Sequence, residues 1–442
     1  MASGFSRRVL GRLSRKHYYY AFGGLSASAT TYAFRSSRTD GDSGRVEETS
    51  FGSQPGVSRV DRVCIPSNSP CEDQMTSLSI PSSDWSFWGI YDGHVGPQTS
   101  RLLERDLITN VVDRLHELYD QKPKPETSDI HNAFKEACLD LDDEIVNQSA
   151  ALVRSQPEDS PRMTLAASVL QAARAGSCAL VAFYEANLRR LHVAVVGDSR
   201  AVLGRPRKTA DGKTVYDLHV LSLNQNAKNP AEAARLLAAH PDEANLMNQE
   251  KGRLLGWGIT RAFGDGVMKW SKELQTWMDK EILGDRPRPT LLTPPYFTAE
   301  PEVTTIEVQP GDFMVMASDG MWDQLTSEEA VGLVGKWIER WGSDNTRQMS
   351  FWSEEVGQLV HDAPGFDRTE LPVKITDDET VYRRWDVKKK FTNVDSLNAA
   401  SHLARNALGG ANRDLHDALV GTPAPRAHHI RDDISIYVVF FD

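Results

Sequence analysis

The chain has 442 residues, of which 40% are hydrophobic and 25% are charged, a composition typical of soluble globular proteins. Its formal net charge of -11 is unevenly distributed, since residues 1–38 hold seven basic side chains and no acidic one, leaving 43 basic against 61 acidic residues in the remainder. The acidic remainder of the chain lacks the clustered lysine and arginine residues that binding to a nucleic-acid backbone requires. This excludes nucleic acid as a partner.

Residues 1–38 predict a targeting segment. Phe5, Val9 and Leu13 recur at helical spacing, arginine and serine are frequent, and acids are absent. This is the composition of a mitochondrial transit peptide. A basic disordered tail is the alternative interpretation.

The uncharged stretch between Tyr18 and Phe34 has 17 residues, about the minimum for a membrane span, but serine, threonine and glycine dilute it. A short membrane anchor here therefore stays open beside a cleaved leader. Residues 39–58 are polar and rich in glycine and serine, which predicts a linker. A single domain then covers residues 59–442, with an irregular insertion around 343–391, where charge and proline interrupt the periodicity.

Short β-prone runs and amphipathic helical patterns follow one another along the domain. The strands are predicted at residues 85–91, 178–184, 191–196, 218–223, 303–308, 313–317 and 434–441. The helices are predicted at residues 99–119, 130–148, 230–240, 326–341 and 396–410. The fourth of these helices opens on a capping-box pattern, Thr326 to Glu329. Because strands come in consecutive groups, we predict an α+β fold with an antiparallel core and helices outside.

The four cysteines, Cys64, Cys71, Cys138 and Cys178, form neither a Cys-x-x-Cys pair nor a zinc-ribbon spacing. They indicate a reducing compartment or incidental buried thiols.

Acidic residues recur at the ends of the predicted strands. Each alone is compatible with a turn or a helix cap. Strands that share a sandwich bring their ends together, however, and the grouped carboxylates would repel one another unless cations neutralised them. The residues concerned are Glu72, Asp73, Asp92, Asp198, Asp319, Asp323, Asp432 and Asp433.

Oxygen ligands without histidine or cysteine select Mg²⁺ or Mn²⁺. Two such ions about 3.5–4 Å apart activate a water and clamp a phosphoryl oxygen, which is the chemistry of phosphate ester hydrolysis. His94, two residues after Asp92, is then placed to protonate the leaving alkoxide as a general acid.

Six motifs in this order resemble the metal-dependent serine/threonine protein phosphatases of the 2C type. They are Glu72-Asp73, Asp92-Gly93-His94, Gly197-Asp198-Ser199-Arg200, TRAFGD at residues 260–265, SDGMWD at 318–323 and RDDISIYVV at 431–439. The resemblance implies a four-layer α/β/β/α sandwich, in which two antiparallel sheets are flanked by helices.

The same resemblance implies the metal ligands. Asp92 would bridge two ions, Asp319 and Asp432 would complete the first site, and the Gly93 carbonyl would serve the second. Waters of the second site would be held by Glu72 and Asp73. In some members a third, weaker site is formed by positions that match Asp198 and Asp323, and His94 matches the general acid.

Two positions depart from the common family pattern. An arginine that grips the substrate phosphate is replaced by Asn68, and an asparagine is replaced by Asp433. Both departures are similar to the pyruvate dehydrogenase phosphatase branch, as are the runs at residues 253–265 and 293–303. The resemblance thus implies a mitochondrial phosphatase, in the matrix or at the inner membrane, acting on phosphoserine of the pyruvate dehydrogenase E1 subunit.

Two alternatives stay open at the level of sequence. A pseudophosphatase scaffold would explain Asn68, although such scaffolds lose ligand aspartates and this chain keeps them. An active phosphatase for a different mitochondrial phosphoprotein is equally compatible with the motifs, because surface loops set the choice of substrate.

Overall fold

The computed structural model describes residues 46–51, 54–342, 365–376, 381–382, 384–395 and 398–442. The predicted targeting segment, the stretch considered as a membrane anchor and residues 343–364 of the predicted insertion lie outside these ranges. In the part of the chain that is described, no helix combines the length and the apolar character needed to span a bilayer.

Eighteen strands lie in the described residues. They are β1 Glu47–Phe51, β2 Val57–Ile65, β3 Gln74–Ile80, β4 Trp85–Tyr91, β5 Gly93–His94, β6 Gly176–Ser177, β7 Ala179–Glu185, β8 Arg190–Val196, β9 Arg200–Lys208, β10 Thr214–Val220, β11 Met247–Asn248, β12 Arg253–Leu254, β13 Phe263–Gly264, β14 Glu302–Glu307, β15 Phe313–Ala317, β16 Val381–Tyr382, β17 Val387–Lys388 and β18 Ile434–Phe441.

The described helices lie between and around these strands. They are α1 Gln98–Gln121, α2 Thr127–Asp143, α3 Ser149–Arg154, α4 Arg162–Val169, α5 Gln171–Arg174, α6 Pro230–Ala239, α7 Gly266–Lys269, α8 Lys272–Glu281, α9 Asp319–Trp322, α10 Ser327–Trp341, α11 Ala399–Ala407, α12 Arg413–Gly421 and α13 Arg426–Ile430. A π-helical turn, Glu144–Gln148, joins α2 to α3.

Two antiparallel sheets form the centre of the domain. One has six strands in the order β1-β2-β18-β15-β9-β10, and the other has five in the order β14-β8-β7-β4-β3. Every pairing within them is antiparallel. The predicted α+β class is therefore confirmed.

Alternation along the strands divides the apolar side chains between two layers. In β4, Trp88 and Ile90 point into a core shared with Tyr437 of β18, between the two sheets. Phe87 and Tyr91 point the other way, toward the helices. This strand is buried on both faces, which explains its continuous apolar sequence.

The outer layers consist of helices, as predicted. Leu107 and Val111 of α1 and Phe134 of α2 cover the outer face of the five-stranded sheet. The outer face of the six-stranded sheet is covered by α10 and α11, through residues such as Val334 and Leu403. The four-layer α/β/β/α sandwich is confirmed.

The capping box predicted for α10 is present and has a second use. Thr326 Oγ1 accepts from the Glu329 amide, and Glu329 Oε2 accepts from the Thr326 amide at 2.9 Å. The buried Glu329 carboxylate also pairs with Arg368 at 2.6 Å and with Lys389 at 2.8 Å. These ion pairs attach the described part of the predicted insertion to the helical layer.

Strand β1 corrects part of the linker predicted over residues 39–58. It pairs with β2 in register from Glu47 opposite Cys64 to Phe51 opposite Val60, and β2 already begins at Val57. The segment is polar because it forms an edge strand, whose side chains need not be apolar on a face open to water.

Candidate active site

Carboxylates that follow three strands of the sandwich come together at one end of those strands. Asp92 follows β4, Asp198 follows β8 after one glycine, and Asp319 follows β15 as the first residue of α9. One oxygen from each side chain lies within 4.8 Å of the others. The convergence expected from strand ends is thus present in the fold.

Burial and like charge act in the same direction on these carboxylates. Burial raises the pKa of Asp92, and the neighbouring Asp319 and Asp73 raise it further. Burial likewise raises the pKa of Asp319, with added contributions from Asp198 and Asp432. Such a group of carboxylates ionises fully only when cations are present to neutralise it.

Asp433 fastens the loop that carries Glu72 and Asp73. Its Oδ2 accepts from the amides of Glu72 and Asp73 at 2.9 and 3.3 Å. Its Oδ1 accepts from the Ser67 hydroxyl at 2.8 Å, from the Ser67 amide and from the Asn68 amide at 3.1 Å. One buried carboxylate beside Asp432 therefore holds both ends of the loop, a role that the sequence did not reveal.

The two acidic side chains of this loop differ in their surroundings. Glu72 Oε1 accepts from the Gly96 amide at 2.5 Å, and Oε2 accepts from Asn68 Nδ2 at 2.7 Å. Asp73 Oδ2 is buried and has no hydrogen-bond partner among the described residues. Burial followed by the charge of Asp433 raises the pKa of Asp73.

Gly93 lies where a larger residue would not fit. A β-carbon at this position would meet the Glu72 carbonyl oxygen and would lie 2.8 Å from Ser100 Oγ. The absence of a side chain lets the backbone between Asp92 and His94 pass close to the Glu72 loop.

His94 pairs with an aspartate that lies far from it in the sequence. Its Nε2 lies 2.7 Å from Asp265 Oδ2, and the edge of Trp257 packs near the ring at a centroid distance of 6.0 Å. Burial lowers the pKa of His94, but Asp265 outweighs it and the net shift is upward. The imidazole is a quarter exposed, so it remains accessible from the site.

The TRAFGD motif, which the sequence singled out without a role, supplies this aspartate. Asp265 ends the motif in a left-handed conformation with φ 48°. At the other end of the motif, the buried Glu232 carboxylate accepts from Thr260 Oγ1 at 2.6 Å and from Arg261 Nε at 3.0 Å. These hydrogen bonds hold the TRAFGD motif in place, and they thereby position Asp265, the partner of His94.

Asp198 and Asp323 both act on Asp319, whose pKa burial raises and their charges raise further. Asp198 Oδ1 accepts from the Cys178 thiol at 3.4 Å, and burial raises the pKa of Asp198. Asp323 is exposed directly after α9, and its amide donates to the Asp319 carbonyl at 2.8 Å.

Asp432 adds its charge to the same cluster, since it contributes to the raised pKa of Asp92 and of Asp319. It immediately precedes Asp433 at the start of β18, and its Oδ1 accepts from the Asp433 amide at 2.8 Å. Burial raises the pKa of Asp432, as it does for the other members of the cluster.

The donor set fits a hard divalent cation. The three side chains that meet within 4.8 Å are all carboxylates, and Asp73, whose charge also acts on Asp92, offers a buried oxygen without a partner among the described residues. Such a set suits Mg²⁺ or Mn²⁺ and not zinc. Fold and site together define a two-sheet sandwich with a candidate metal centre at one end of its strands.

Comparison with known proteins identifies the family. The profile of the family described as Protein phosphatase 2C matches residues 59–356. A protein phosphatase 2C homolog of Schizosaccharomyces pombe is 36% identical over 91% of this chain and 86% of its own length. The mitochondrial pyruvate dehydrogenase (acetyl-transferring) phosphatase 1 of Saccharomyces cerevisiae is 33% identical over 89% of this chain and 71% of its own length.

The human protein named mitochondrial pyruvate dehydrogenase (acetyl-transferring) phosphatase 1 is 27% identical over 86% of this chain and 76% of its own length. Among solved structures, a serine-threonine phosphatase 2C from Toxoplasma gondii aligns with a TM-score of 0.45 at 14% identity, over 90% of this chain and 99% of that one.

The chain belongs to the protein phosphatase 2C family. It is a metal-dependent protein-serine/threonine phosphatase, a hydrolase that acts on phosphoproteins. The resemblance inferred from the six motifs is confirmed.

Proposed function

We propose that this phosphatase works in mitochondria and dephosphorylates phosphoserine of the pyruvate dehydrogenase E1 subunit. Relatives at 33% and 27% identity carry the names of mitochondrial pyruvate dehydrogenase phosphatases. The basic, acid-free composition of residues 1–38 supports the same compartment. The chemistry of the proposal rests on one observation: Asp92, Asp198 and Asp319 converge within 4.8 Å.

The ligand assignment is part of the proposal. Asp92 would bridge two cations, with Asp319 and Asp432 on the first and the Gly93 carbonyl on the second. Waters of the second cation would be held by Glu72 and Asp73, and Asp198 with Asp323 would hold a third, weaker ion. When bound, the cations supply an activated water and neutralise charge on the phosphoryl group.

His94 acts on the leaving group. A seryl alkoxide is a poor leaving group, so proton donation to its oxygen lowers the barrier. Asp265, 2.7 Å from His94 Nε2, favours the protonated imidazole that can make this donation. The indole of Trp257 limits the movement of the ring.

The substrate assignment is tested by phosphate release from two phosphoserine peptides, one with the E1 site and one unrelated. The chain used begins at residue 46, because β1 starts at Glu47 and must be kept. We expect release with Mg²⁺ or Mn²⁺, no release with EDTA, and faster release from the E1 peptide. Equal rates would leave a different mitochondrial phosphoprotein as the substrate, and no release with either metal would favour the pseudophosphatase scaffold.

The compartment is tested separately. A reporter fused to residues 1–38 should be imported into mitochondria. Deletion of these residues should leave the phosphatase outside mitochondria, while the purified protein keeps its activity. Alkaline extraction of the imported protein distinguishes a cleaved leader from a membrane anchor. A membrane-retained product would indicate an anchor between Tyr18 and Phe34, whereas import of the deleted chain would contradict the targeting role.

A further inference from the structure

Two thiols face each other where β2 leads into the loop that carries Glu72 and Asp73. The sulfur atoms of Cys64 and Cys71 lie 4.0 Å apart, and both side chains are partly exposed. Cys64 is the penultimate residue of β2, and Cys71 immediately precedes Glu72. The pair therefore joins a central strand to the segment that carries Glu72 and Asp73.

Hydrogen bonds connect both thiols to the start of β18. The Cys71 thiol donates to Asp433 Oδ2 at 3.4 Å, the same oxygen that accepts from the Glu72 and Asp73 amides. The Ser435 hydroxyl lies 3.6 Å from the Cys64 sulfur, and Ser435 is its partner across the β2–β18 pairing.

We propose that Cys64 and Cys71 are a modification site, which peroxide oxidises to an intramolecular disulfide that weakens metal binding by the adjacent loop. One thiol reduces hydrogen peroxide to water and becomes a sulfenic acid. The second thiol then displaces the hydroxyl from that sulfur, forming the disulfide and releasing another water. The consequence for the metal rests on the roles proposed above for Glu72 and Asp73.

Formation of the bond requires the loop to move. A disulfide has a sulfur–sulfur distance of about 2.05 Å, so the two atoms must approach by roughly 2 Å. Cys64 is held in β2, which pairs with β1 on one side and with β18 on the other. Cys71 lies in the loop between β2 and β3, outside any strand pairing, where its thiol donates to Asp433 Oδ2 at 3.4 Å and its carbonyl accepts from Gln74 Nε2 at 3.4 Å. Cys71 is therefore the thiol that moves, and it takes the Glu72 amide with it.

The other two thiols provide an internal comparison. Cys138 and Cys178 are each only 3% exposed, Cys138 on the buried face of α2 and Cys178 directly before β7. Peroxide in solution should therefore reach Cys64 and Cys71 first.

The experiment uses the full chain, stripped of metal with EDTA and desalted before it is treated with hydrogen peroxide. We expect the number of free thiols, titrated in denaturant, to fall from four to two, and the intact mass to remain that of a monomer. Mn²⁺ is then added, and its binding is followed by the electron paramagnetic resonance signal of the free aqueous ion. The Mn²⁺ affinity should fall about tenfold or more, the size of effect that partners of metal ligands carry, and dithiothreitol should restore it.

Three variants make the result specific. Cys64→Ala should bind Mn²⁺ like the wild type before treatment and should no longer respond to peroxide. Cys71→Ser should also lose the response, while Cys138→Ala should keep it. The proposal is overturned if all four thiols survive treatment, if the disulfide forms without a change in Mn²⁺ affinity, or if Cys64→Ala responds like the wild type.

Failure of this inference and failure of the proposed function are distinguishable. An untreated enzyme that binds Mn²⁺ but releases no phosphate from the E1 peptide would contradict only the substrate. An Asp92→Asn variant that binds Mn²⁺ like the wild type would contradict the ligand assignment itself, independently of any thiol.

Discussion

The side-chain amide of Asn68 donates to the Glu72 carboxylate, with Nδ2 2.7 Å from Oε2. The other oxygen of Glu72 accepts from the Gly96 amide, so both of its oxygens have partners. Where the resemblance implies an arginine that grips the substrate, this chain has an uncharged donor that orients a proposed ligand. Burial raises the pKa of Glu72, and with a further contribution from Asp433 it outweighs the hydrogen bond from the Gly96 amide, which lowers this pKa.

The first prediction concerns the charge at position 68. Asn68→Asp would set a carboxylate against Glu72 without a change of size, and the repulsion should displace the Glu72 side chain. We expect the Mn²⁺ concentration for half-maximal phosphate release to rise about tenfold, with turnover at saturating Mn²⁺ largely retained. Asn68→Ala, which removes the hydrogen bond without adding charge, should give a smaller rise. Identical Mn²⁺ titrations for Asn68→Asp and the wild type would contradict a role in orienting Glu72.

The second prediction concerns the stability of the metal-free site. Because Asp319 lies partly buried among like charges, Asp319→Asn should raise the melting temperature in EDTA by roughly 2 °C or more. The same variant should lose most of the stabilisation that Mn²⁺ gives the wild type, since one proposed ligand is missing. Thermal unfolding with EDTA and with Mn²⁺ measures both effects. A variant that is less stable than the wild type in EDTA and equally stabilised by Mn²⁺ would contradict both the repulsion and the ligand role.

The raised pKa values also set a pH dependence. A carboxyl group whose pKa is raised in the folded state contributes stability below its ordinary pKa, and this contribution is lost as the pH rises through the folded-state pKa. Burial raises the pKa of Asp92, Asp319 and Asp432. In EDTA the wild type should therefore lose stability as the pH rises above about 4, and Asp319→Asn should lose less. Urea unfolding in EDTA at a series of pH values tests this expectation. If the free energy of unfolding changed with pH equally in the wild type and in Asp319→Asn, the expectation would be contradicted.

A third prediction separates acid catalysis from metal binding. His94→Ala should slow hydrolysis of a phosphoserine peptide by about 100-fold or more, because its alkoxide leaving group needs a proton. An aryl phosphate, whose leaving group is stable as an anion, should be slowed much less. Asp265→Asn should also slow the phosphoserine peptide more than the aryl phosphate, but by a smaller factor. Equal slowing of seryl and aryl substrates would show that His94 is not the acid.

Three strands buried on both faces were predicted to the residue. The runs at 85–91, 313–317 and 434–441 match β4, β15 and β18, because continuous apolar sequence is what such strands require. Strands β2, β3 and β9 were among those missed. Arg59, Asp61 and Arg62 interrupt the apolar residues of β2, and Pro206 lies within β9.

The carboxylates at strand ends could be anticipated, whereas their partners could not. A sandwich brings the ends of its strands together, and this alone predicts that Asp92, Asp198 and Asp319 meet. Asp265 is 171 residues from His94, and Asp433 is 361 residues from Glu72. No local pattern connects residues so far apart, and only the TRAFGD motif gave a signal near Asp265.

The last prediction concerns Glu232, which fixes the TRAFGD motif and so, indirectly, His94. Burial raises the pKa of Glu232, but hydrogen bonds from Arg261, Arg235 and Thr260 outweigh it and hold the pKa at about 2. A carboxylate with a lowered folded-state pKa contributes stability that is present above its ordinary pKa and is lost as the pH falls toward the folded value. The contribution should therefore disappear between about pH 4.5 and pH 2.

Glu232→Gln removes this titration while it keeps the size of the side chain. We expect the variant to be less stable than the wild type at pH 6 by about 3 kcal/mol, and the gap to narrow as the pH is lowered toward 3. Urea unfolding in EDTA at both pH values gives the comparison. Asp217→Asn is the matched control, because the Arg207–Asp217 pair is exposed on both sides and should contribute little at either pH. A gap between Glu232→Gln and the wild type that stays constant with pH would mean that packing, and not the ion pair with Arg261, accounts for the effect.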